Sequence, residues 1–599
     1  MRRWRPAFRH LVRQRLHEIP ISSLSAPLAS RTSGDESDPI EKENGVSSDH
    51  DSIELPAGIP GSGRAGEPPV TDVPVAGWPE RFSLRVVQFG ALAVVLFATP
   101  YKIFDLDRFF VPKELILHLT AVVALLFALR AVMRIAFTKI DLLLGGWLLL
   151  SATSALFATN RWLGLRALAI TASSIALYWI ARSLREAGLA APLVAALALA
   201  VVVAAITSLM QAYGFEPQIF SLNRAPGGTL GNRNFIGHIA AFGLPLLLFT
   251  NLHASRFRSI LFSSIGTALV CAALVLTRSR AAWLAAVAAG VVMIGAVLTS
   301  PALRRRGRTW LRLAGILILA GGGVVAALRL PNDLHWRSDD PYLESVRGVV
   351  SYDEGSGRGR LIQYEHSLRM AAHHPLLGVG PGNWPVVYPE YAARHDPSLN
   401  SSEPGTTYNP WPSSDWVSWI SDRGVAAVVM LLVALVMIAL AALRRIARSE
   451  EMEEALLGMV CLATLTGAVV TGAFDAVLLL APPALLAWTA LGATGAPPVV
   501  ESRRSGRVFR PLALAAVILI SGAGVARSTA QIIGMSIYAG PHSRASLERA
   551  SRIDPGNYRI QVRLARSGSH DSRCRHARAA HALLPNADEG RALARRCGT

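Results

Sequence analysis

The sequence predicts an all-α protein that crosses a membrane about 13 times. Of its 599 residues, 51% are hydrophobic and only 17% are charged. That balance is too apolar for a soluble chain of this length. From Leu84 onward, apolar stretches recur, each near the roughly 20 residues that a helix needs to cross a bilayer. We therefore expect a polytopic membrane protein with one large loop and a small helical C-terminal tail.

The first 80 residues differ in composition from the rest. They open with MRRWRPAFRHLVRQRLHEIP, which is basic and has no long apolar core, so it is not a cleavable secretory signal. The stretch that follows is rich in Ser, Gly, Pro and acidic residues and cannot bury enough apolar surface to fold. Residues 1–80 are therefore interpreted as a disordered cytoplasmic extension.

The membrane domain is predicted in two parts, 82–330 and 420–527, separated by a polar interval. The first part contains spans near 84–100, 114–134, 140–158, 163–181, 190–211, 235–251, 259–277, 281–299 and 311–330. The second part contains spans near 424–442, 454–473, 475–494 and 510–527.

Basic residues in the connections predict the orientation. With the N-terminus inside, every cytoplasmic connection carries Arg or Lys, as in HASRFRS and RRRGRTWLR, and the positive-inside rule is satisfied. The interval 331–419 is then a large periplasmic loop, and the chain is a multi-pass protein of a bacterial inner membrane. The net charge of +19 reflects arginines that set this orientation, not a nucleic-acid interface.

Residues 528–599 are polar and helical again. Alanine and leucine recur at helical spacing on both sides of Asp-Pro-Gly-Asn-Tyr, a pattern that resembles tetratricopeptide repeats, with room for one repeat and a fragment. By the count of spans this tail is periplasmic, a compartment in which Cys574 and Cys597 are able to form a disulfide. The tail either docks proteins of a polysaccharide-assembly complex or packs on the membrane domain.

Arg278 and Arg280 lie in LTRSRAAWLA at the outer end of a span, where orientation does not require positive charge. Arg278 alone is explained by a side chain that reaches the headgroup region. Arg280 shares the outer face with Asn232 and Arg233 of NRAPGGTLGNRNFIGH and with the large loop. Guanidinium groups that converge at one membrane face suit phosphate or diphosphate, which they bind through paired hydrogen bonds.

Three segments together resemble the O-antigen ligase and polymerase superfamily, over roughly residues 82–491. They are GTLGNRN before a helix, LTRSRAAWLA at a helix start, and GRGRLIQYEHSLRMAAHHPLLGVGPGNW in the large loop. The loop signature of that family is an Arg followed by an amphipathic helix and a Pro-Leu-Leu-Gly-x-Gly-x-Gly-x-aromatic turn. Arg360 and the turn at 375–384, with Gly378, Gly380 and Gly382, match this signature.

The resemblance implies an inverting glycosyltransferase that needs neither a metal nor another cofactor. Its donor is a glycan on undecaprenyl diphosphate, and its acceptor is a sugar of the lipid A core, another lipid-linked repeat or a protein hydroxyl. The product is a surface polysaccharide such as lipopolysaccharide. Arg280 and Arg360 bind the diphosphate, beside Arg233 and Asn232, and stabilise the negative charge that develops on the leaving group.

A histidine that this family carries after the loop is absent here. The corresponding stretch is NPWPSSDWVSWISDRGVAAV, in which Ser413 occupies the histidine position. Serine is no general base near neutral pH. Asp415 is a candidate, because a carboxyl group near an apolar surface has a raised pKa and accepts a proton. The competing interpretation is that Ser413, Ser414 or Asp415 only caps the following helix.

Two functions therefore stay open. The first is a glycan ligase or polymerase with Arg280, Arg360 and Asp415 as catalytic residues. The second is a non-catalytic membrane component that binds lipid-linked glycan and docks assembly proteins through its tail. The second function requires the arginines but no group that accepts a proton.

Overall fold

The computed structural model describes residues 76–99, 107–221, 224–348, 355–495, 506–540 and 543–598. Within these ranges the regular elements are helices and no strand is present. Eleven of the helices are long and apolar enough to cross a membrane. The predicted all-α, polytopic fold is confirmed. Of the predicted extension 1–80, residues 1–75 lie outside the described residues.

Ten helices are described before the large loop. They are α1 (Trp78–Leu96), α2 (Asp107–Arg134), α3 (Lys139–Leu156), α4 (Arg161–Glu186), α5 (Ala190–Ala212), α6 (Arg233–His253), α7 (Phe257–Leu276), α8 (Arg280–Thr299), the short α9 (Pro301–Arg304) and α10 (Gly307–Arg329). The remaining elements are α11 (Pro341–Arg347), α12 (Gly355–His373), α13 (Trp384–Val387), α14 (Asp415–Arg448), α15 (Met452–Phe474), α16 (Ala481–Thr494), α17 (Gly506–Ala539), α18 (Arg544–Ile553), α19 (Tyr558–Ala565), α20 (His570–Leu583) and α21 (Asp588–Arg595).

Each predicted span overlaps one of these helices, but a count of 13 membrane crossings is not confirmed. Helix α1, which carries Glu80, Arg81 and Arg85, is not among the eleven apolar helices of spanning length. Helix α16 is not among them either, because it has only 14 residues. The predicted span 475–494 is therefore wrong in its first six positions, which form a non-helical turn before α16.

Two helices extend beyond the predicted boundaries of the second membrane part, which stay predictions. Helix α14 begins at Asp415, where Ser414 caps it, before the predicted boundary at 420. Helix α17 continues through the predicted boundary at 527 and ends only at Ala539. The loop between α10 and α14 contains the helices α11, α12 and α13.

Burial separates central helices from helices at the edge of the bundle. Helix α6 is almost wholly buried along its length, whereas α10 exposes apolar side chains such as Leu311, Leu317 and Ile318. Exposed aliphatic side chains on a helix with satisfied backbone hydrogen bonds suit contact with lipid. Helix α6 therefore lies inside the bundle. Its first residue, Arg233, contacts Trp336 and so lies at the end of the bundle that carries residues 331–414, here called the loop end.

The C-terminal tail forms four short helices, α18 to α21, that lie against the loop end. Cys574 and Cys597 form the predicted disulfide. Asn586 Nδ2 donates hydrogen bonds to the Val386 carbonyl and to Glu390 Oε1, each at 2.9 Å. Asn160, which caps α4, donates to the Leu583 carbonyl at 3.1 Å. The tail thus packs on the large loop and on the start of α4; its assignment to tetratricopeptide repeats stays a prediction.

Candidate active site

Arg280 and Arg360 meet in one pocket at the loop end. Arg280 is the first residue of α8, and Arg360 lies in the second turn of α12. Both side chains line the same pocket, together with Phe474 at the end of α15. Arg280 also donates a hydrogen bond to the Gly348 carbonyl, which fixes its guanidinium beside the loop. Two planar cations facing one cavity are suited to binding an anion with several oxygens.

A sharp turn between α7 and α8 directs Arg278 away from this pocket. Among the residues that the structure describes, Arg278 is the only non-glycine residue with a positive φ, at 52°. Its guanidinium lies 4.7 Å from the centre of the Trp336 ring, 3.2 Å from Glu344 and 2.8 Å from the Ser345 hydroxyl. The partners of Arg278 are thus groups of the large loop, and the predicted extension toward lipid headgroups is not what the structure has.

Arg233 and Asn232 do not line the pocket of Arg280 and Arg360. The Arg233 guanidinium lies 4.9 Å from the Trp336 ring centre, in a separate cleft that it shares with Arg278. Asn232 caps α6, since its side-chain oxygen accepts the Asn234 backbone N–H at 3.0 Å. A diphosphate-binding role for these two residues stays a prediction.

The glycine turn in the large loop docks on a break in α14. Gly378, Gly380 and Gly382 have φ values of 64°, 105° and 70°. The break is at Gly424, whose φ of 79° interrupts the helix. A Cβ at Gly424 would lie 2.3 Å from the Leu376 carbonyl oxygen, so only glycine fits there.

Backbone hydrogen bonds join the turn and the break on both sides. The Val379 N–H donates to the Ser421 carbonyl at 3.0 Å, and the Val425 N–H donates to the Pro375 carbonyl at 2.9 Å. The Asp422 carboxylate accepts the Gly382 N–H at 2.9 Å. Because the turn directly follows α12, these contacts hold the helix that carries Arg360 in place.

Comparison with known families identifies the segment that contains these features. Residues 265–432 match the family model described as O-Antigen ligase. This segment is an O-antigen ligase domain. It begins in α7, ends in α14 and includes Arg280, Arg360 and the glycine turn. No curated protein matches the chain.

A domain of this kind is typical of membrane enzymes that transfer glycosyl groups from a lipid-linked glycan donor to a glycan acceptor. Among the described residues, no three His, Cys, Asp or Glu side chains are grouped so as to hold a metal ion.

Asp415, inside the O-antigen ligase domain, is almost fully buried, with 1% of its surface exposed. Its two carboxylate oxygens accept the backbone N–H groups of Val477 and Leu478, both at 2.9 Å. The cap of α14 is Ser414, whose hydroxyl accepts the Val417 N–H at 3.4 Å. Asp415 therefore fixes the turn between α15 and α16; its predicted role as proton acceptor stays a prediction.

Ser413, at the position of the family histidine, is held by α12 through its backbone. Its N–H donates to Gln363 Oε1 at 2.7 Å, and its carbonyl accepts the Tyr364 hydroxyl at 2.6 Å. The stretch before α14 is thus tied to the same helix that carries Arg360. These bonds connect the start of α14 with the arginine pocket.

Sequence reasoning missed a polar cluster beside the pocket, outside the O-antigen ligase domain. Asp475 directly follows Phe474, which lines the pocket of Arg280 and Arg360. Asp475 Oδ2 accepts a hydrogen bond from Asn234 Nδ2 at 3.2 Å and lies 3.7 Å from His238 Nε2. The sequence contained a signal for this cluster. Asn234 and His238 are one helical turn apart at the start of an apolar span, and this spacing predicts two polar groups on one face of the helix.

Proposed function

We propose that the chain transfers or polymerises glycan from undecaprenyl diphosphate at the periplasmic face of a bacterial inner membrane, for surface polysaccharide assembly. The O-antigen ligase domain supports a membrane enzyme of this type. The observation that carries the proposal is the common pocket of Arg280 and Arg360. A diphosphate gains negative charge when it leaves, and two guanidinium groups on different helices stabilise that charge.

The proposed reaction inverts the configuration at the sugar and uses no metal ion. An acceptor hydroxyl attacks the anomeric carbon from the face opposite the diphosphate. The new C–O bond forms while the bond between the anomeric carbon and the phosphate oxygen breaks, and the diphosphate keeps the electron pair. Arg280 and Arg360 stabilise the charge on the leaving group, and a carboxylate takes the proton from the acceptor hydroxyl. Asp415 is the carboxylate that the sequence predicts for this step.

The disulfide of the C-terminal tail supports the proposal that this chemistry takes place on the periplasmic side. Disulfides persist in oxidising compartments and are rare in the cytosol. The tail with its bond between Cys574 and Cys597 contacts the large loop through Asn586. The large loop carries Arg360 and contacts Arg280 at Gly348. The arginine pocket is therefore on the same side of the membrane as the disulfide.

A second function is favoured by one observation, the absence of the family histidine at Ser413. In this alternative the chain binds lipid-linked glycan and hands it to other proteins of an assembly complex, without transferring sugar. The arginine pocket serves both functions equally. They differ only in whether a proton-accepting group at the site is required.

Complementation of a deletion strain tests the proposal. The variants are Arg280→Ala, Arg360→Ala and, as a control, Arg394→Ala, which removes an exposed arginine of the same loop. Surface polysaccharide and undecaprenyl-linked glycan are measured in membranes that contain equal amounts of protein. We expect the first two variants to lose polymer and accumulate the lipid-linked donor, while Arg394→Ala behaves as wild type. Full complementation by both arginine-pocket variants would show that the proposed function is wrong.

A further inference from the structure

We infer that Asp475 is the group that accepts the proton of the acceptor hydroxyl, and that His238 and Asn234 position its carboxylate. The inference rests on the proposed function. It is carried by the place of these three side chains beside the pocket of Arg280 and Arg360.

Asp475 combines access with proximity to the pocket. It ends α15 in an extended conformation, and its side chain keeps 15% of its surface exposed. Oδ1 accepts only the N–H of the next residue, Ala476, at 2.9 Å, among the hydrogen bonds of the described residues. The residue before it, Phe474, lines the arginine pocket. The carboxylate is thus next in the chain to a residue that lines the pocket, and its exposed part is available to an acceptor sugar.

Asp415 is less suited to the same task, because its surroundings enclose it. Its two oxygens already accept backbone N–H groups of the turn that follows Asp475. A Cβ at Gly472 would lie 2.7 Å from Asp415 Oδ2, so the carboxylate is packed directly against α15. Asp415 thus holds the turn that begins at Asp475, which makes it a positioning residue.

His238 is a buried imidazole with one acid beside it. None of its surface is exposed, and within the described part of the chain neither ring nitrogen has a hydrogen-bond partner. A buried polar group without a partner is unfavourable, so such a group in a folded protein calls for an explanation. Asp475 Oδ2 is 3.7 Å from Nε2, and a hydrogen bond of this kind needs about 2.8 Å. A small movement of Asp475 provides the missing partner.

Helix α6 presents its two polar groups to the same carboxylate. Asn234 and His238 are one helical turn apart and both face Asp475 Oδ2. His238 also lies within electrostatic range of Arg360. The Asp475 carboxylate, the His238 imidazole and the Arg360 guanidinium are therefore close enough to interact electrostatically. A base and the site of the leaving group need this proximity.

The proton balance of the step is simple. The O–H bond of the acceptor breaks, its proton moves to the Asp475 carboxylate, and its oxygen forms the bond to the anomeric carbon. The bond from that carbon to the diphosphate breaks at the same time, and the electron pair leaves with the diphosphate. Asp475 afterwards returns the proton to water at its exposed edge.

The test uses the full-length protein with two measurements. Polymer formation is followed in the complemented deletion strain, and binding of undecaprenyl diphosphate is measured with purified protein in nanodiscs. The variants are Asp475→Asn and the matched control Asp339→Asn, which changes an exposed aspartate of the large loop. We expect Asp475→Asn to lower the rate of polymer formation by about 100-fold or more, the usual effect of losing a general base. Binding of undecaprenyl diphosphate should stay as in wild type.

His238→Gln provides the second variant, since it keeps a polar side chain in the core. It should lower the rate by about tenfold in wild type and by nothing further in the Asp475→Asn background, because it acts through that carboxylate. A merely structural role would add its full effect in both backgrounds, and that result would overturn the role of His238.

The inference is overturned if Asp475→Asn forms polymer at the wild-type rate, or if it loses undecaprenyl diphosphate binding as much as it loses polymer. In that case the result for Arg280→Ala and Arg360→Ala distinguishes a wrong assignment of the base from a wrong proposed function. If these variants fail, the proposed function stands and only the assignment of the base is wrong. If they also form polymer normally, the proposed function itself is wrong.

Discussion

Arg280 of α8 and Arg360 of α12 line one pocket, although helices α9, α10 and α11 separate them along the chain. Their meeting depends on the large loop. The glycine turn after α12 docks on the break at Gly424 in α14, and the Gly348 carbonyl accepts a hydrogen bond from Arg280. The loop therefore brings one arginine to the other, and the site requires the fold of the loop.

Replacing the guanidinium by an ammonium tests whether the geometry of Arg280 matters beyond its charge. Lysine keeps the charge but loses the planar group that binds two oxygens at once. We expect Arg280→Lys to lower polymer formation by about tenfold or more, the effect of one charge-assisted hydrogen bond of about 1.5 kcal/mol. Arg278→Lys should be tolerated, since its partners Glu344 and Trp336 still attract a cation. Equal losses in both variants would contradict a special role for Arg280.

The break in α14 should tolerate no side chain. Gly424→Ala places a Cβ against the Leu376 carbonyl in a backbone conformation that disfavours alanine, so we expect a loss of about 2 kcal/mol or more in stability. Gly290→Ala in α8 is the matched control, because nothing lies within 4 Å of a Cβ there. Thermal unfolding of the purified proteins in detergent measures the difference. Similar unfolding temperatures for the two variants would argue against the docked turn.

Asp415→Asn should weaken the fold of the turn between α15 and α16. Asparagine has one side-chain acceptor where aspartate has two, so one of the N–H groups of Val477 and Leu478 loses its partner. We expect a loss of about 1–3 kcal/mol in stability. Thermal unfolding is again the measurement, with Asp339→Asn as the control. An unchanged unfolding temperature would contradict the structural role of Asp415.

The disulfide allows the orientation to be tested directly. In spheroplasts treated with a reductant, a membrane-impermeant maleimide should label Cys574 and Cys597, because the proposed function puts their tail on the periplasmic side. A variant with both cysteines changed to serine shows the background from Cys271 and Cys461, which lie within membrane helices. Labelling that appears only after permeabilisation would place the tail, and with it the arginine pocket, in the cytoplasm.

Loss of the disulfide should also loosen the tail. The two cysteines are 23 residues apart, and a bond that closes a loop of this size contributes about 3 kcal/mol. We expect the variant with both cysteines changed to serine to lose the tail to limited proteolysis at lower protease concentrations than wild type. The membrane domain should remain intact in the same digest.

The sequence was sufficient to predict most of the membrane fold, because the length of an apolar run is fixed by the bilayer and is read locally. The prediction failed where a side chain fixes the backbone conformation of a distant segment. The predicted span 475–494 was too long, since the Asp415 carboxylate binds the Val477 and Leu478 amides and keeps that turn out of α16. A local signal for the start of α16 was also overlooked, since Pro482 and Pro483 lie in its first turn, where proline is favoured.

The site was predicted only in part for a similar reason. Arg280 and Arg360 were identified from residue type and motif, and their common pocket agrees with that identification. Arg233 was expected beside them, but the tight turn at Arg278 places Arg233 and Arg278 together at Trp336. Asp475 was assigned to the start of a span, so its meeting with His238 on α6 was missed. Contacts between distant helices decide each of these cases.

The most direct test of the central claim is equilibrium binding of undecaprenyl diphosphate to the purified protein in nanodiscs. If Arg280 and Arg360 share one diphosphate, Arg280→Ala and Arg360→Ala should each weaken binding by about tenfold or more. The loop control Arg394→Ala should bind as wild type. Unchanged affinity in both arginine-pocket variants would contradict the account.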